Sequence, residues 1–279
     1  MLLFYAPDIA TNRQLPETEA HHCVKVLRMQ EGDALWLTDG KGFFYRAEIA
    51  EISYQGIAGQ ARNDKKSNYC MVNLLETIPQ PPLWKGTIEI ALAPTKNTDR
   101  IEWFAEKATE IGIDTISFFR CRFSERKEMS TERILKIMIS AMKQSEKARL
   151  PVVNAITDFK DFIRQDFDGQ KFIAHCHPDE KMLLAQAYHV DENVRILIGP
   201  EGDFSEDEIS LSKKHGFIPV SLGASRLRTE TAALTACQTF HIVNQIVCTP
   251  KSTKGDLPQY NIQNHFANSP FRELEGNEL

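Results

Sequence analysis

Nowhere in the 279 residues do apolar side chains continue for the ~18 positions that a membrane-spanning helix requires, so a soluble protein without a membrane partner is expected. Paired cysteines are missing too. The six thiols, Cys23, Cys70, Cys121, Cys176, Cys237 and Cys248, include no C-x-x-C, and no basic-then-apolar leader opens the chain. Reduced cysteines in the cytoplasm are the expectation. Also absent are G-x-x-x-x-G-K-S/T, H-E-x-x-H and G-x-S-x-G, which removes the main support for phosphate-loop, zinc-protease and serine-hydrolase chemistry. Gly40-x-Gly42 has no third glycine and opens no helix, so it reads as a turn. His175-Cys176-His177 puts two imidazoles on one strand face, yet no second ligand pair stands at metal spacing, and no metal is expected. His21-His22-Cys23 reads as surface or RNA-facing rather than as a ligand set. An excess of positive charge is lacking as well: the net charge is −5. Within residues 120–149, however, nine Lys/Arg stand against four Glu, a local balance of +5 that is either a solvated face or a nucleic-acid footprint.

What is present suggests two domains, since 42% hydrophobic content in a chain of this length supports more than one core. Residues 1–76 read as a small β-rich barrel. It holds a strand at Leu2-Leu3-Phe4-Tyr5, one short helix over 18–29 and a hairpin around Asp39-Gly40-Lys41-Gly42, then further short strands through 69–75. Lys25, Arg28 and Arg46, with Phe44 and Tyr45, offer a basic and aromatic surface for RNA, although hairpin aromatics more often face a core. A proline-rich linker is read over 77–83. Over 84–250 strand-like and helix-like runs alternate, including a helix over 180–188, as in an α/β domain with a mostly parallel sheet. The polar tail, 251–279, offers little core.

The most informative stretch is 195–247, where two short apolar strands each run through a polar loop into a helix. Val194-Arg195-Ile196-Leu197-Ile198 ends at Gly199-Pro200-Glu201-Gly202-Asp203, and Ser205 with Glu208 makes a capping box for the helix that follows. Phe217-Ile218-Pro219-Val220-Ser221-Leu222 ends at Gly223, and Arg226-Leu227-Arg228-Thr229-Glu230-Thr231 opens a helix with Ala233, Cys237, Phe240, Val243 and Val247 on its apolar stripe. Such loops at strand ends of one parallel sheet lie where open α/β sheets bind ligands. Glu201, Asp203, Glu206, Asp207 and Glu208, without a base among them, disfavour a phosphate and suit a neutral or cationic ligand.

Ile198-Gly199-Pro200-Glu201-Gly202, followed some twenty residues on by Ser221-Leu222-Gly223 and Leu227-Arg228-Thr229-Glu230-Thr231-Ala232, resembles the paired signature of the ribosomal small-subunit RNA (uracil-N3) methyltransferases, the RsmE family of the SPOUT class. Ala93-Pro94-Thr95-Lys96, Asp99-Arg100-Ile101-Glu102-Trp103, Lys107-Ala108-Thr109-Glu110-Ile111-Gly112, Gln144-Ser145, Arg149-Leu150-Pro151 and His22 with Val26-Leu27-Arg28 are similar to further family stretches. Three departures stand out. Asp203 occupies a place where a third glycine is common, Ser225 one where arginine is frequent, and Glu146-Lys147 replaces a usual Gly-Arg.

The resemblance implies an α/β SPOUT-type parallel sheet with a C-terminal trefoil knot, a small N-terminal PUA-like β-barrel and a homodimer. It implies S-adenosyl-L-methionine held by Gly199, Pro200, Glu201, Gly202, Ser221, Leu222, Gly223, Leu227, Cys176 and His177. Its sulfonium and ammonium charges suit the acidic loop. The implied reaction is in-line methyl transfer to N3 of a uridine in 16S ribosomal RNA, free or in the small ribosomal subunit. N3 must first lose its proton, because the neutral nitrogen has no free lone pair. Arg228 is the candidate to stabilise charge on the uracil oxygen, and Glu230 to orient Arg228 or accept the proton. RNA contacts are expected from Lys25, Arg28, Arg46, Arg100, Arg122, Lys147, Arg149 and Arg226, with strong salt dependence. Two rival readings remain: a non-catalytic RNA-binding protein of the same fold, and a nucleotide-binding α/β enzyme, which the acidic loop disfavours.

Overall fold

The computed structural model describes residues 2–55 and 67–248, arranged around two sheets. The first contains β1 (Leu3–Tyr5), β2 (Ala34–Thr38), β3 (Phe43–Gln55) and β4 (Ser67–Pro79), in that order. β1 runs parallel to β2, and the remaining pairs are antiparallel. The hairpin between β2 and β3 forms because Asp39 folds its side chain over it: one carboxylate oxygen accepts from the Lys41 N–H at 2.7 Å, the other from the Tyr45 hydroxyl at 3.1 Å. Residues 13–15 hydrogen-bond along the outer edge of β4, through Leu15 N–H to the Cys70 carbonyl and Val72 N–H to the Arg13 carbonyl, which curls the sheet around its core.

Several expectations change here. Phe44 and Tyr45 are both 3% exposed, so alternation along β3 gives one ring to each side of a packed sheet and neither to RNA. The short strands read toward residue 75 are one 13-residue strand that continues through Thr77, Ile78 and Pro79. The linker thus begins later than its prolines suggest. Ile78 packs with Leu3, Phe44 and Ala148, and Pro79 sits at the strand's last position, where a missing N–H is tolerated. The helix read over 18–29 divides into α1 (Glu17–His21) and a π-helical turn (His22–Val26), and Arg28, at φ +57°, stops it. Residues 249–279, including the polar tail, lie outside the described residues.

The second sheet is parallel throughout and has seven strands, β5 (Ile88–Leu92), β6 (Thr115–Arg120), β7 (Val152–Asp158), β8 (Gln170–Ala174), β9 (Met182–Leu183), β10 (Val194–Ile198) and β11 (Ile218–Ser221). Their spatial order is β7-β6-β5-β10-β8-β11-β9, so β10 inserts between β5 and β8. The connections include α2 (Thr98–Ile111), α3 (Thr131–Gln144), α4 (Phe159–Phe162), α5 (Leu184–Ala187) and α6 (Glu206–Lys214), and α7 (Thr229–Cys248) closes the domain. Helix over 180–188 is not what forms: Met182 and Leu183 pair with β11, and only Leu184–Ala187 is helical.

β5 and β10 are buried at every position, as central strands covered on both faces must be. On one face Ile90 and Ile196 meet Phe104 of α2 and Cys237 and Phe240 of α7. On the other, Ala91, Leu197 and Ile173 meet Phe119 and Phe204. A polar row crosses the sheet: Arg195 donates to Glu89 at 2.7 Å, Ser117 to Glu89 at 2.6 Å, and Asn154 to Ser117 at 2.9 Å. Each buried polar group so satisfied avoids a desolvation cost of roughly 1–3 kcal/mol.

The two sheets are fastened at the β2–β3 hairpin. Gly42 N–H donates to Ala148 and Leu150 N–H to the Gly40 carbonyl, both at 2.9 Å. Lys143 pairs with Glu19 at 2.6 Å. Among the described residues no helix is long and apolar enough to cross a membrane.

Candidate active site

The carboxyl ends of β8, β10 and β11 lie side by side, and the loops that leave them surround a cavity of about 720 Å³. Cys176, Gly199, Pro200, Glu201, Ser221, Leu222, Gly223 and Leu227 line it, together with Arg226 and Arg228. Gly202 and His177, read as cofactor contacts, are not in that lining. The bare Cα of Gly202 faces Phe123, whose Cβ would lie 2.9 Å from an added Cβ. The His177 ring nitrogen Nε2 lies 2.7 Å from the Phe204 carbonyl, so that imidazole props the loop after β10.

The loop is shaped by side-chain contacts that the sequence alone does not assign. Asp203 has φ +64°, a left-handed conformation that favours glycine. Aspartate tolerates it here because its carboxylate accepts from the N–H of Phe204 at 2.8 Å and from that of Cys176 at 2.7 Å, which ties the β10 loop to the β8 loop. Glu201 accepts from the Lys96 N–H at 3.2 Å, linking the same loop to the one between β5 and α2. Thr229, buried at the start of α7, donates its hydroxyl to the Gly199 carbonyl at 3.0 Å. Below this loop the capping interaction is present: the Glu208 carboxylate accepts from both the N–H and the hydroxyl of Ser205, at 2.9 and 2.8 Å. Gly223, at φ +128°, has no atom within 4 Å of where a Cβ would stand, so its backbone is open to the cavity.

Lys181 is a further lining residue that no motif announced. Its ammonium donates to the carbonyls of His175 at 2.7 Å and His177 at 2.8 Å, closing the loop after β8 into a ring. His175 follows the end of β8 and its imidazole is buried, with neither ring nitrogen hydrogen-bonded; Asp179 lies 3.9 Å away. Burial, with Lys181 nearby, pushes its pKa down to about 4 and keeps the ring neutral. Among the described residues no group of three or more His, Cys, Asp or Glu could hold a metal ion.

The candidate catalytic pair is split between the cavity wall and the protein behind it. Arg228 is exposed on the wall. Glu230 is 7% exposed; one carboxylate oxygen lies 3.8 Å from Arg100 Nε and the other has no partner. Arg100, read as an RNA contact, is therefore the neighbour of Glu230. The other proposed RNA contacts scatter. Arg122 sits on the loop after β6, while Lys25 and Arg28 flank a shallow depression of the N-terminal domain and Arg46 is exposed on β3. Burial lowers the pKa of Lys147. Arg149 commits its guanidinium to the carbonyls of Lys41 at 3.2 Å and Gln80 at 3.4 Å. The basic stretch 120–149 is not one free face: Arg120 pairs with Asp158, Arg133 with Glu102, Lys136 with Glu132 and Lys143 with Glu19.

The lining thus carries the carboxylates of Glu201 and Asp203 from the β10 loop and the guanidiniums of Arg226 and Arg228 from the loop before α7, besides Lys181. A cationic ligand is favoured at the first pair, and an electron-rich oxygen at the second. A family model described as an RNA methyltransferase domain matches residues 82–241, and one described as an RNA methyltransferase PUA domain matches residues 15–57. The Ribosomal RNA small subunit methyltransferase E of Rickettsia conorii is 28% identical over 233 residues, 82% of this chain and 89% of the relative. A crystal structure of a probable rRNA-methyltransferase from Porphyromonas gingivalis is 42% identical, with a TM-score of 0.79 over 88% of this chain and all of that one. A protein from Legionella pneumophila, solved in complex with the bound cofactor SAM, is 28% identical, with a TM-score of 0.72 over 87% of this chain and 97% of that one.

Proposed function

This chain belongs to the RNA methyltransferase family, and on that premise we propose that it transfers the methyl group of S-adenosylmethionine to N3 of a uridine in 16S ribosomal RNA. The observation that carries the reading is the two-sided cavity, acidic along the β10 loop and basic along the loop before α7. The cofactor's cationic sulfonium and ammonium fit beside Glu201 and Asp203, and the open backbone at Gly223 suits an adenosine that needs close approach. Bound there, the cofactor supplies an electrophilic methyl carbon.

The chain's own residues then do three things. Gly199, Pro200, Leu222 and Leu227 bind and exclude water from one side of the cavity. Arg228 stabilises the negative charge that grows on a uracil oxygen as N3 loses its proton. Glu230, buried just outside the lining with Arg100 3.8 Å from one carboxylate oxygen, takes up that proton through a water relay that ends on its unpartnered oxygen. The N-terminal PUA-like domain, with Lys25, Arg28 and Arg46 exposed, orients the RNA.

A homodimer, a C-terminal trefoil knot and a cytoplasmic location belong to the same reading. Supporting self-association, Ile242, Ile246 and Val247 of α7 and Trp103 of α2 are exposed on two helices that pack together.

The test is nucleoside mass spectrometry. Small subunits from cells lacking the protein, incubated with it and S-adenosylmethionine, are expected to gain 3-methyluridine. Arg228→Ala and Glu230→Gln should lower kcat at least tenfold, each about 1.4 kcal/mol or more, while S-adenosylmethionine affinity holds. A methyl group found on another base, or none found, would refute the assignment.

A further inference from the structure

We propose that Phe123 is a stacking platform for a base of the RNA substrate, next to the nucleotide that is methylated. This rests on the methyltransferase reading above. Phe123 is a large aromatic with 46% of its surface exposed, and it packs on Gly202, between the cavity-lining residues Glu201 and Asp203. Its position is built. Ser124 N–H donates to the Cys121 carbonyl, and the Ser124 hydroxyl oxygen accepts from the Cys121 N–H, both at 3.0 Å, so the turn closes on itself with Phe123 turned outward. Cys121 is buried in the core behind it. Arg122 N–H donates to Glu208 at 2.7 Å, and Arg126 donates to the carbonyls of Thr95 at 3.3 Å and Lys96 at 2.8 Å. Three tethers therefore fix a segment that packs on Gly202, where the missing Cβ lets the base of the Phe123 side chain sit against the β10 loop.

Such an arrangement is costly to explain as packing. The inner half of Phe123 packs on Gly202, but 46% of the phenylalanine faces solvent, apolar surface that the turn itself does not need. For an unstacked base it is a preorganised surface, because every base has a face that stacks on an aromatic ring. Charge agrees with this. The Arg122 guanidinium lies over the ring, 5.6 Å from its centroid, so an incoming base stacks in its place and frees it to meet that nucleotide's phosphate. Arg226 and Arg228 continue the positive charge into the cavity. The uridine to be methylated must leave its stack to enter that cavity, and a ring beside the β10 loop replaces the stacking its neighbour loses.

Three variants of the full chain test this: Phe123→Ala, Phe123→Leu and Phe123→Trp. With small subunits from cells lacking the protein as substrate, Phe123→Ala and Phe123→Leu should raise KM for the subunit by roughly tenfold. Phe123→Trp should restore it, and all three should keep S-adenosylmethionine affinity and thermal stability. Equal behaviour of leucine and phenylalanine would overturn the proposal, since apolar bulk on Gly202 would then suffice. A change of oligomeric state in Phe123→Ala would also overturn it, by assigning the ring to a contact between copies. Should the wild-type protein transfer no methyl group, the methyltransferase reading fails separately. Anisotropy titration of protein-free 16S RNA with the same variants still decides the platform, and equal affinities would refute it.

Discussion

Asp203 accepts the backbone N–H of Cys176 at 2.7 Å from a left-handed backbone conformation, φ +64°, and so welds the loop after β10 to the loop after β8. Two effects oppose each other at this residue. A non-glycine side chain is strained there, while its carboxylate supplies a bond that glycine cannot. Asp203→Asn keeps the acceptor and should bind S-adenosylmethionine nearly as wild type. Asp203→Ala retains the strain without the bond and should destabilise the protein by about 1–2 kcal/mol, with weaker cofactor binding. Asp203→Gly should fall between them in thermal stability but match alanine in affinity. Calorimetry on the three variants checks the order, and an alanine variant indistinguishable from asparagine would contradict it.

Glu146 poses the same conflict without the compensation. It stands at φ +51° just past α3, where Lys147 N–H donates back to Met142 and Glu146 N–H to Lys143, at 3.0 and 3.3 Å, the hydrogen bonds of a Schellman turn. Glycine is the residue this turn favours. Glu146→Gly should raise the unfolding midpoint, by the equivalent of about 1 kcal/mol, without altering kcat. A lowered midpoint in thermal denaturation would refute it.

Thr229→Val removes a buried hydroxyl that satisfies the Gly199 carbonyl and leaves that oxygen at an apolar contact. The expected cost is about 1–3 kcal/mol in urea unfolding, with a higher Kd for S-adenosylmethionine because the loop loses its anchor to α7. Thr229→Ser should be close to wild type in both. Failure of serine to rescue would mean that the methyl group, not the hydroxyl, matters.

Acid should weaken the protein through His175. The buried imidazole has a pKa pushed down to about 4, whereas in the unfolded chain it titrates near its ordinary value of 6.5. Between those two values the unfolded chain binds more protons than the folded one, so stability falls as pH drops through that window and this contribution levels off below it. Urea unfolding at pH 7 and pH 5 is the check: His175→Leu should flatten the difference, and an unchanged slope would remove His175 as its source.

Much of this architecture is legible in the chain because it depends on local pattern. Ile101, Phe104, Ala105 and Ala108 announce α2 at helical spacing, and the apolar run 194–198 announces a central strand. Ser205 and Glu208 announce the start of α6. The insertion of β10 between β5 and β8 is written in no local pattern, since it depends on strands more than a hundred residues apart. Met182 and Leu183 form a strand at the sheet edge through pairing that propensity does not encode. At the site, most residues of the two signatures reach the cavity, but Lys181, which closes its own loop through the His175 and His177 carbonyls, leaves no motif, and the bond from Thr229 to the Gly199 carbonyl is not readable from the signature that contains it. Gly202, read as a cofactor contact, stands outside the cavity lining with its bare Cα against Phe123. Of the acidic residues at positive φ, Asp203 and Glu146 stand where the resembled family often has glycine, so each departure preserves a backbone shape at some cost.

Calorimetric titration with S-adenosylmethionine tests the central claim most directly, on wild type and on Ala232→Phe, which fills the cavity from α7 without touching Gly202 or Phe123. Saturable binding near one equivalent per chain, abolished in a variant that unfolds at the wild-type temperature, is the result the account predicts. Undiminished binding in Ala232→Phe would place the cofactor elsewhere, and no binding by the folded wild-type protein would contradict the account.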